Sequence, residues 1–428
     1  MPGKLTALTL MAVLWTATSL AAEPADAPAK AAGGAADTTP SIFSFAGFGT
    51  VGVVHSSESQ ADFANNFQAN GAGYTRNWSA SVDSLLAGQV TADFSKRLSG
   101  VVQVLVQQRY DGGYRPQVEW ANLRYEITPD FSVRVGRTAL PVFMENDSRR
   151  VGYANPWVRP PAEVYRLEPV SSSDGVDVSY RMPIGNAINT IQVSAGRTDT
   201  KFHGDSNIPD GVSHARQLVA FFDTIERGFL IVHFSYLHAR LTVDAVKPLF
   251  DAYRQFGPQG IAIADRYEMH NRGADFLGAG ASYDPGKWFV MGEWGHFESH
   301  SFTGAANGWY ASAGYRVGKV TPYATIASVR PAGNTSDPGL DVSSLPPDLA
   351  AQAGALNAGL NAALGAAVSQ RTIAVGARWD FRRNMDAKLQ IDRGHIGAGS
   401  PGLLTNLQPG FQRGGAVSLV SATVDFVF

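Results

Sequence analysis

Apolar side chains recur at every second position along most of the chain. In residues 371–381, Ile373, Val375, Ala377, Trp379 and Phe381 share one face, and Thr372, Ala374, Gly376, Arg378 and Asp380 share the other. After Arg382-Arg383-Asn384, Ala387, Leu389 and Ile391 oppose Lys388, Gln390 and Asp392. A period of two marks strands whose faces meet unlike surroundings. The same unit returns around Val90–Phe94, Val102–Val106, Leu123–Ile127, Phe131–Val135, Val176–Tyr180, Leu277–Tyr283 and Trp309–Tyr315. Each run is about ten residues long, which is the length of a tilted strand crossing a bilayer. About sixteen runs are legible. Those at 213–225, 229–240 and 321–329 carry mixed faces.

Connections alternate in length. Short ones lie near 95–97, 128–130, 183–186, 226–228, 284–286, 317–319 and 382–384. Long ones lie near 57–75, 138–171, 199–212, 244–271, 330–369 and 394–413, with moderate ones near 111–116 and 299–306. Together these predict an all-β fold: a transmembrane antiparallel β-barrel of about 16 strands, with short periplasmic turns and long extracellular loops. Phe94, Tyr125, Phe131, Tyr180, Phe229, Tyr283, Trp288, Tyr315, Trp379 and Phe381 flank the short turns, which predicts one aromatic ring at a membrane interface. Within the loop 330–369, Leu349, Leu356, Leu360 and Leu364 fall on one stripe and predict an amphipathic helix.

Composition narrows the picture further. The chain has 428 residues, no cysteine and a net charge of −2. Disulfides, thiolate metal sites and cysteine nucleophiles are excluded. The balanced charge implies no nucleic-acid partner. Lys4, the apolar run 5–15 and the small residues around Ala21 and Ala22 predict a signal peptide over 1–22. Residues 23–40, rich in Ala, Pro, Gly and Thr, read as a flexible periplasmic leader, leaving 41–428 for the barrel.

Gly47, Gly49 and Gly52 spell GxGxxG, the spacing of a dinucleotide-binding turn. That motif needs a following helix and an acidic residue about 20 positions on. Here β-branched Val51, Val53 and Val54 follow, so the glycines read as strand positions where a neighbouring subunit or the curved wall approaches closely. The last residues mirror the first strand, with Val424, Phe426 and Phe428 on one face. First and last strands should pair, because backbone polar groups cannot stay open in lipid.

The signal peptide, the amphipathic strands and the terminal Phe428 resemble a Gram-negative general porin, over nearly all of the mature chain. The resemblance implies a homotrimer in outer-membrane lipid and lipopolysaccharide, with Phe428 as the signal read by the barrel-assembly machinery. It implies a water-filled channel for small hydrophilic solutes, with no cofactor. It also implies that the long loop after the fifth strand (138–171) folds into the lumen. That loop lacks the PEFGG-type tract of many enteric porins, and the connection 111–116, which latches a neighbouring subunit in trimers, is short.

The polar strand faces carry Gln103, Gln107, Arg109, Asn122, Arg124, Glu126, Arg134 and Arg181. An arginine facing lipid at mid-depth costs about 2–4 kcal/mol, so these side chains point into water. In porins, wall arginines face acids on the inward loop. The expected constriction therefore sets Arg109, Arg124, Arg134 and Arg137 against Glu145, Asp147 and Glu163, with Arg149 and Arg150 in the same loop. The excess of wall arginine hints at a mild anion preference. A solute-specific channel for phosphate or organic anions is the nearer alternative. An outer-membrane barrel enzyme using His233 with Ser235, or His214, is the second. His296 and His300 superficially resemble a metal pair, but on a strand they stand roughly 13 Å apart.

Overall fold

The computed structural model describes residues 41–65, 68–168, 170–204 and 209–428. The expected signal peptide and leader lie outside these residues. Sixteen strands form one ring. They are β1 (Phe43–Ser56), β2 (Leu85–Asp93), β3 (Leu98–Gln107), β4 (Gln117–Thr128), β5 (Phe131–Ala139), β6 (Ser172–Ile184), β7 (Ala187–Phe202) and β8 (Gly211–Arg227). They continue as β9 (Leu230–Val243), β10 (Arg272–Tyr283), β11 (Trp288–Ser299), β12 (Ala305–Tyr315), β13 (Val320–Pro331), β14 (Gln370–Arg382), β15 (Met385–Ile396) and β16 (Gly415–Val427). Each pairs antiparallel with its sequence neighbours. The ring closes from Phe48↔Val427 through Ser56↔Leu419. Closure leaves no strand edge unpaired, which is the condition for a sheet in hydrocarbon.

Hairpins join the strands at one end. The turn after β8 places Gly228 at φ 60, and that after β14 places Asn384 at φ 63. Glycine and asparagine accept this left-handed conformation more readily than other residues. The opposite end carries the long connections. One of these, 244–271, holds two helices not foreseen in the sequence, α2 (Lys247–Arg254) and α3 (Gly257–Tyr267). The foreseen helix is α4 (Pro347–Leu364). Phe250, Tyr253, Ile263, Leu360 and Leu364 bury together between these helices.

The exposed faces are apolar. Leu86, Val90, Leu123, Val135, Val176, Phe234, Leu277, Val290, Ile373, Val375, Leu389 and Ile391 all stand exposed around the ring. The aromatic ring is present at the hairpin end, with Phe94, Tyr125, Tyr180, Phe229, Tyr283, Trp288, Tyr315 and Trp379 exposed. Phe229, Tyr283 and Trp288 form a chain of contacts, the first edge to face and the second tilted, with ring centroids 6.3 and 5.4 Å apart. Such a belt suits the headgroup level, where one side of a ring is wet and the other apolar.

The glycines of β1 have a definite role within the chain. A Cβ on Gly47 would lie 2.3 Å from the Phe428 ring, and one on Gly49 2.5 Å from the Phe426 ring. Gly47 also exchanges two backbone hydrogen bonds with Phe428, each 2.9 Å. Within the chain, the close approach at these two positions comes from the C-terminal aromatics.

Candidate functional site

One connection differs from the rest. Residues 140–171, between β5 and β6, reach the buried faces of strands around the ring. Strand β13 lies eight places from β5 in the ring of sixteen, directly across it. The short helix α1 (Ala162–Tyr165) sits within this connection.

Two kinds of contact hold it. The first is apolar. Leu140, Val142, Phe143, Trp157, Val164 and Tyr165 pack with Leu218, Ala220 and Phe222 of β8, Leu237 of β9, Phe276 of β10, Phe289 of β11 and Tyr323 of β13. These strands include the runs with mixed faces, and the packing explains them: both faces are greasy because the second one meets this connection. The wall formed by β8–β13 is largely apolar on its buried face.

The second kind is polar. The Trp157 indole donates to Ser312 Oγ at 2.9 Å and Thr325 Oγ1 at 3.1 Å. Arg159 grips Asp83 through two bonds of 2.9 and 2.6 Å, donates to Ser421 at 2.7 Å and lies 3.5 Å from Asp392. Arg378 donates to the carbonyls of Tyr153 and Asn155, and Lys388 to that of Gly152. Lys388 and Asp425, both fully buried, pair at 3.0 Å. Glu293 of β11 accepts from the hydroxyls of Tyr165 and Tyr310 at 2.6 and 2.9 Å and from the Met144 amide at 2.7 Å. A buried carboxylate with three donors is held far better than one left bare.

The expected constriction residues occupy these places. Arg134 pairs with Asp177 at 2.7 Å, and Arg137 forks onto Asp174 at 2.7 and 2.8 Å. Arg124 lies 3.5 Å from Glu126. Gln192 and Ser194 add bonds to Asp177, extending a polar ladder across β5–β7. Arg109 stacks over Tyr110, 5.8 Å from its centroid. In the connection, Arg150 pairs with Glu119, and Glu163 accepts from Thr372 and Gln370. Glu145 is buried against Ser148 at 2.5 Å. Burial pushes its carboxyl up to about 7, and the like charge of Glu293 adds to this. Burial pushes Asp147 up to about 6, opposed chiefly by the nearby charge of Arg134. Burial brings Arg149 down to about 10, with the Arg150 charge beside it.

Arg134 pairs with Asp177 and Arg137 with Asp174, neither of them an acid of the connection. The dominant cross-connection pairs run the other way: Arg150 and Arg159 supply the cations, and Glu119, Asp83 and Asp392 the anions. Asp83, Glu119 and Glu293 were not foreseen. Glu119 sits where the β3–β4 register shifts, between Gln103↔Trp120 and Val104↔Val118, so a strict period of two places it wrongly. No signal marked Asp83. His233 bonds Thr224 and the Pro141 carbonyl. Among the described residues no cluster of three or more His, Asp or Glu side chains has metal-binding geometry.

A closed sixteen-strand barrel with an apolar exterior has the fold of the bacterial outer-membrane porins. Solved structures similar to it include OmpF of Salmonella typhi in complex with daunomycin, 12% identical, covering 90% of this chain and 97% of that one, TM-score 0.52. The anion-selective porin from Comamonas acidovorans is 11% identical, with 90% and 99% covered and a TM-score of 0.52. The outer-membrane channel DcaP of Acinetobacter baumannii is 9% identical, with 90% and 97% covered and a TM-score of 0.52. No sequence-family profile matches the chain, and no curated protein sequence matches it.

Proposed function

We propose that the protein is an outer-membrane porin, a channel for passive diffusion of small hydrophilic solutes and ions, and not an enzyme. The observation that carries this is the connection 140–171, held to opposite sides of a closed barrel by the Arg150–Glu119 pair on β4 and the Trp157 hydrogen bonds to β12 and β13. On this reading it lies in the lumen and forms the constriction. Solutes pass along the polar ladder of Arg124, Arg134, Asp177 and Gln192. Charged groups lining a narrow, low-dielectric passage lower the cost of moving an ion through it. The protein assembles as a homotrimer, as OmpT of Vibrio cholerae does in its trimer form. The chain begins with a cleaved signal peptide and leader.

Planar-bilayer recording tests this. Purified protein should give discrete current steps in KCl, and triplet steps support the trimer. Replacing Arg124 and Arg134 with Ala should shift the reversal potential toward cation selectivity. Absence of conductance rejects the channel.

A further inference from the structure

Cations face outward at the loop-bearing end of the barrel, and on several strands a neighbouring acid neutralises them. Arg137 of β5 forks onto Asp174 of β6. Arg216 of β8 pairs with Asp199 of β7 at 2.7 Å, and His238 of β9 meets Asp275 of β10 at 2.9 Å. Such pairs present little net charge to their surroundings.

Strands β13–β15 differ. Arg330, Arg371, Arg393 and His395 are all exposed there. Arg371 stands opposite His395 in the β14–β15 register, and Arg393 stands opposite Ile373, the next outward position after Arg371. Arg330 is the next outward position after Ser328, the β13 partner of Arg371. Opposed and diagonal neighbours on one sheet face lie about 5–8 Å apart, so the four side chains form one group. Arg393 donates to Ser418 Oγ at 2.6 Å. Among the described residues, none of the three arginines pairs with a carboxylate. Asp392, the nearby acid of β15, is buried on the opposite face beside Arg159. Like charges grouped on one face are unfavourable until an anion sits among them, and the planar guanidinium fork matches phosphate oxygens. Toward the hairpin end the same faces continue with Ile373, Val375, Leu389 and Ile391, all exposed. The basic group therefore borders directly on apolar surface. A free phosphate would meet only the arginines, whereas a lipid with a phosphate head would meet both.

We infer that the outer face of β13–β15 binds a phosphorylated lipid of the leaflet on the loop-bearing side. Its phosphate oxygens accept from Arg330, Arg371 and Arg393, and its acyl chains lie along Ile373, Val375, Leu389 and Ile391. The inference goes beyond the channel reading. It rests on the barrel fold alone, and the lumen has no part in it.

Native mass spectrometry of the purified protein, delipidated in an uncharged detergent, tests it with three probes: lipid A, dephosphorylated lipid A and inorganic phosphate. Lipid A should bind saturably, about tenfold tighter than its dephosphorylated form, and the difference should shrink as salt rises. Inorganic phosphate at the same concentration should not displace it. The triple variant Arg330→Gln, Arg371→Gln, Arg393→Gln should bring lipid A down to the affinity of the dephosphorylated form. Arg371→Gln alone should lose part of that difference, and it serves where the triple variant does not fold. Arg216→Gln, which removes a cation already paired with an acid, should bind as the unaltered protein does. Equal affinity for the two lipids, displacement by inorganic phosphate, binding unchanged in the arginine variants of β13–β15, or an equal loss in Arg216→Gln overturns the site. KCl conductance is a separate readout: a protein that binds lipid A but does not conduct refutes the channel and leaves this site standing.

Discussion

Single residues decide where this barrel is strained and where it is pinned. Gly49 has no side chain because the Phe426 ring occupies the space. Gly49→Val should force that ring aside and destabilise the closing seam by about 1–3 kcal/mol. A lower temperature for the shift from folded to unfolded mobility on gels would show it. Arg159 is the opposite case, a buried cation shared by Asp83, Ser421 and Asp392. Arg159→Met leaves two acids buried without their counter-charge and should cost about 3–5 kcal/mol, read as an earlier thermal transition. The sequence reading placed Asp392 on the polar face of β15, because Leu389 and Ile391 fix the phase. It could not find Asp83, which stands in a connection with no period to read.

At the scale of elements, alternation gave the strand positions and the alternating connection lengths gave their order. The runs at 213–225, 229–240 and 321–329 read ambiguously for a physical reason: their second face packs on residues 140–171 and is apolar too. Trp157 anchors that connection, with its ring buried and its indole nitrogen bonded to two strands. Trp157→Ala should remove about 3–5 kcal/mol of packing. We expect larger and noisier single-channel currents from the loosened connection, and unchanged currents would show that Trp157 does not hold the constriction. The helices α2 and α3 were missed because Pro248, Gly257, Pro258 and Gly260 carry turn signals, while burial of Phe250, Tyr253 and Ile263 stabilises the helices.

For the whole molecule, the buried acids of the connection couple its seating to pH. Glu145 and Glu168 are pushed up to about 7 and Asp147 to about 6, each by burial. The folded state therefore holds more protons than the unfolded chain between about pH 4 and 7. The stability contributed by these groups is full at the acid end and falls as pH rises through that window. Conductance should be smaller and steadier at pH 5 than at pH 8, and Glu145→Gln should flatten part of the change. A pH-independent conductance between these values would refute the coupling.

The sequence alone determined the barrel: a period of two in long runs leaves each strand one greasy face, and only a closed ring satisfies its backbone in lipid. It also marked residues 138–171 as a long, charged connection. The tertiary structure alone decided which charges meet. Ion pairs such as Arg159–Asp83 and Arg150–Glu119 join residues far apart in the chain, and their partners depend on how the ring curves and where the connection comes to rest. Neither quantity is written in local periodicity, which reports which face a side chain takes and not what it meets.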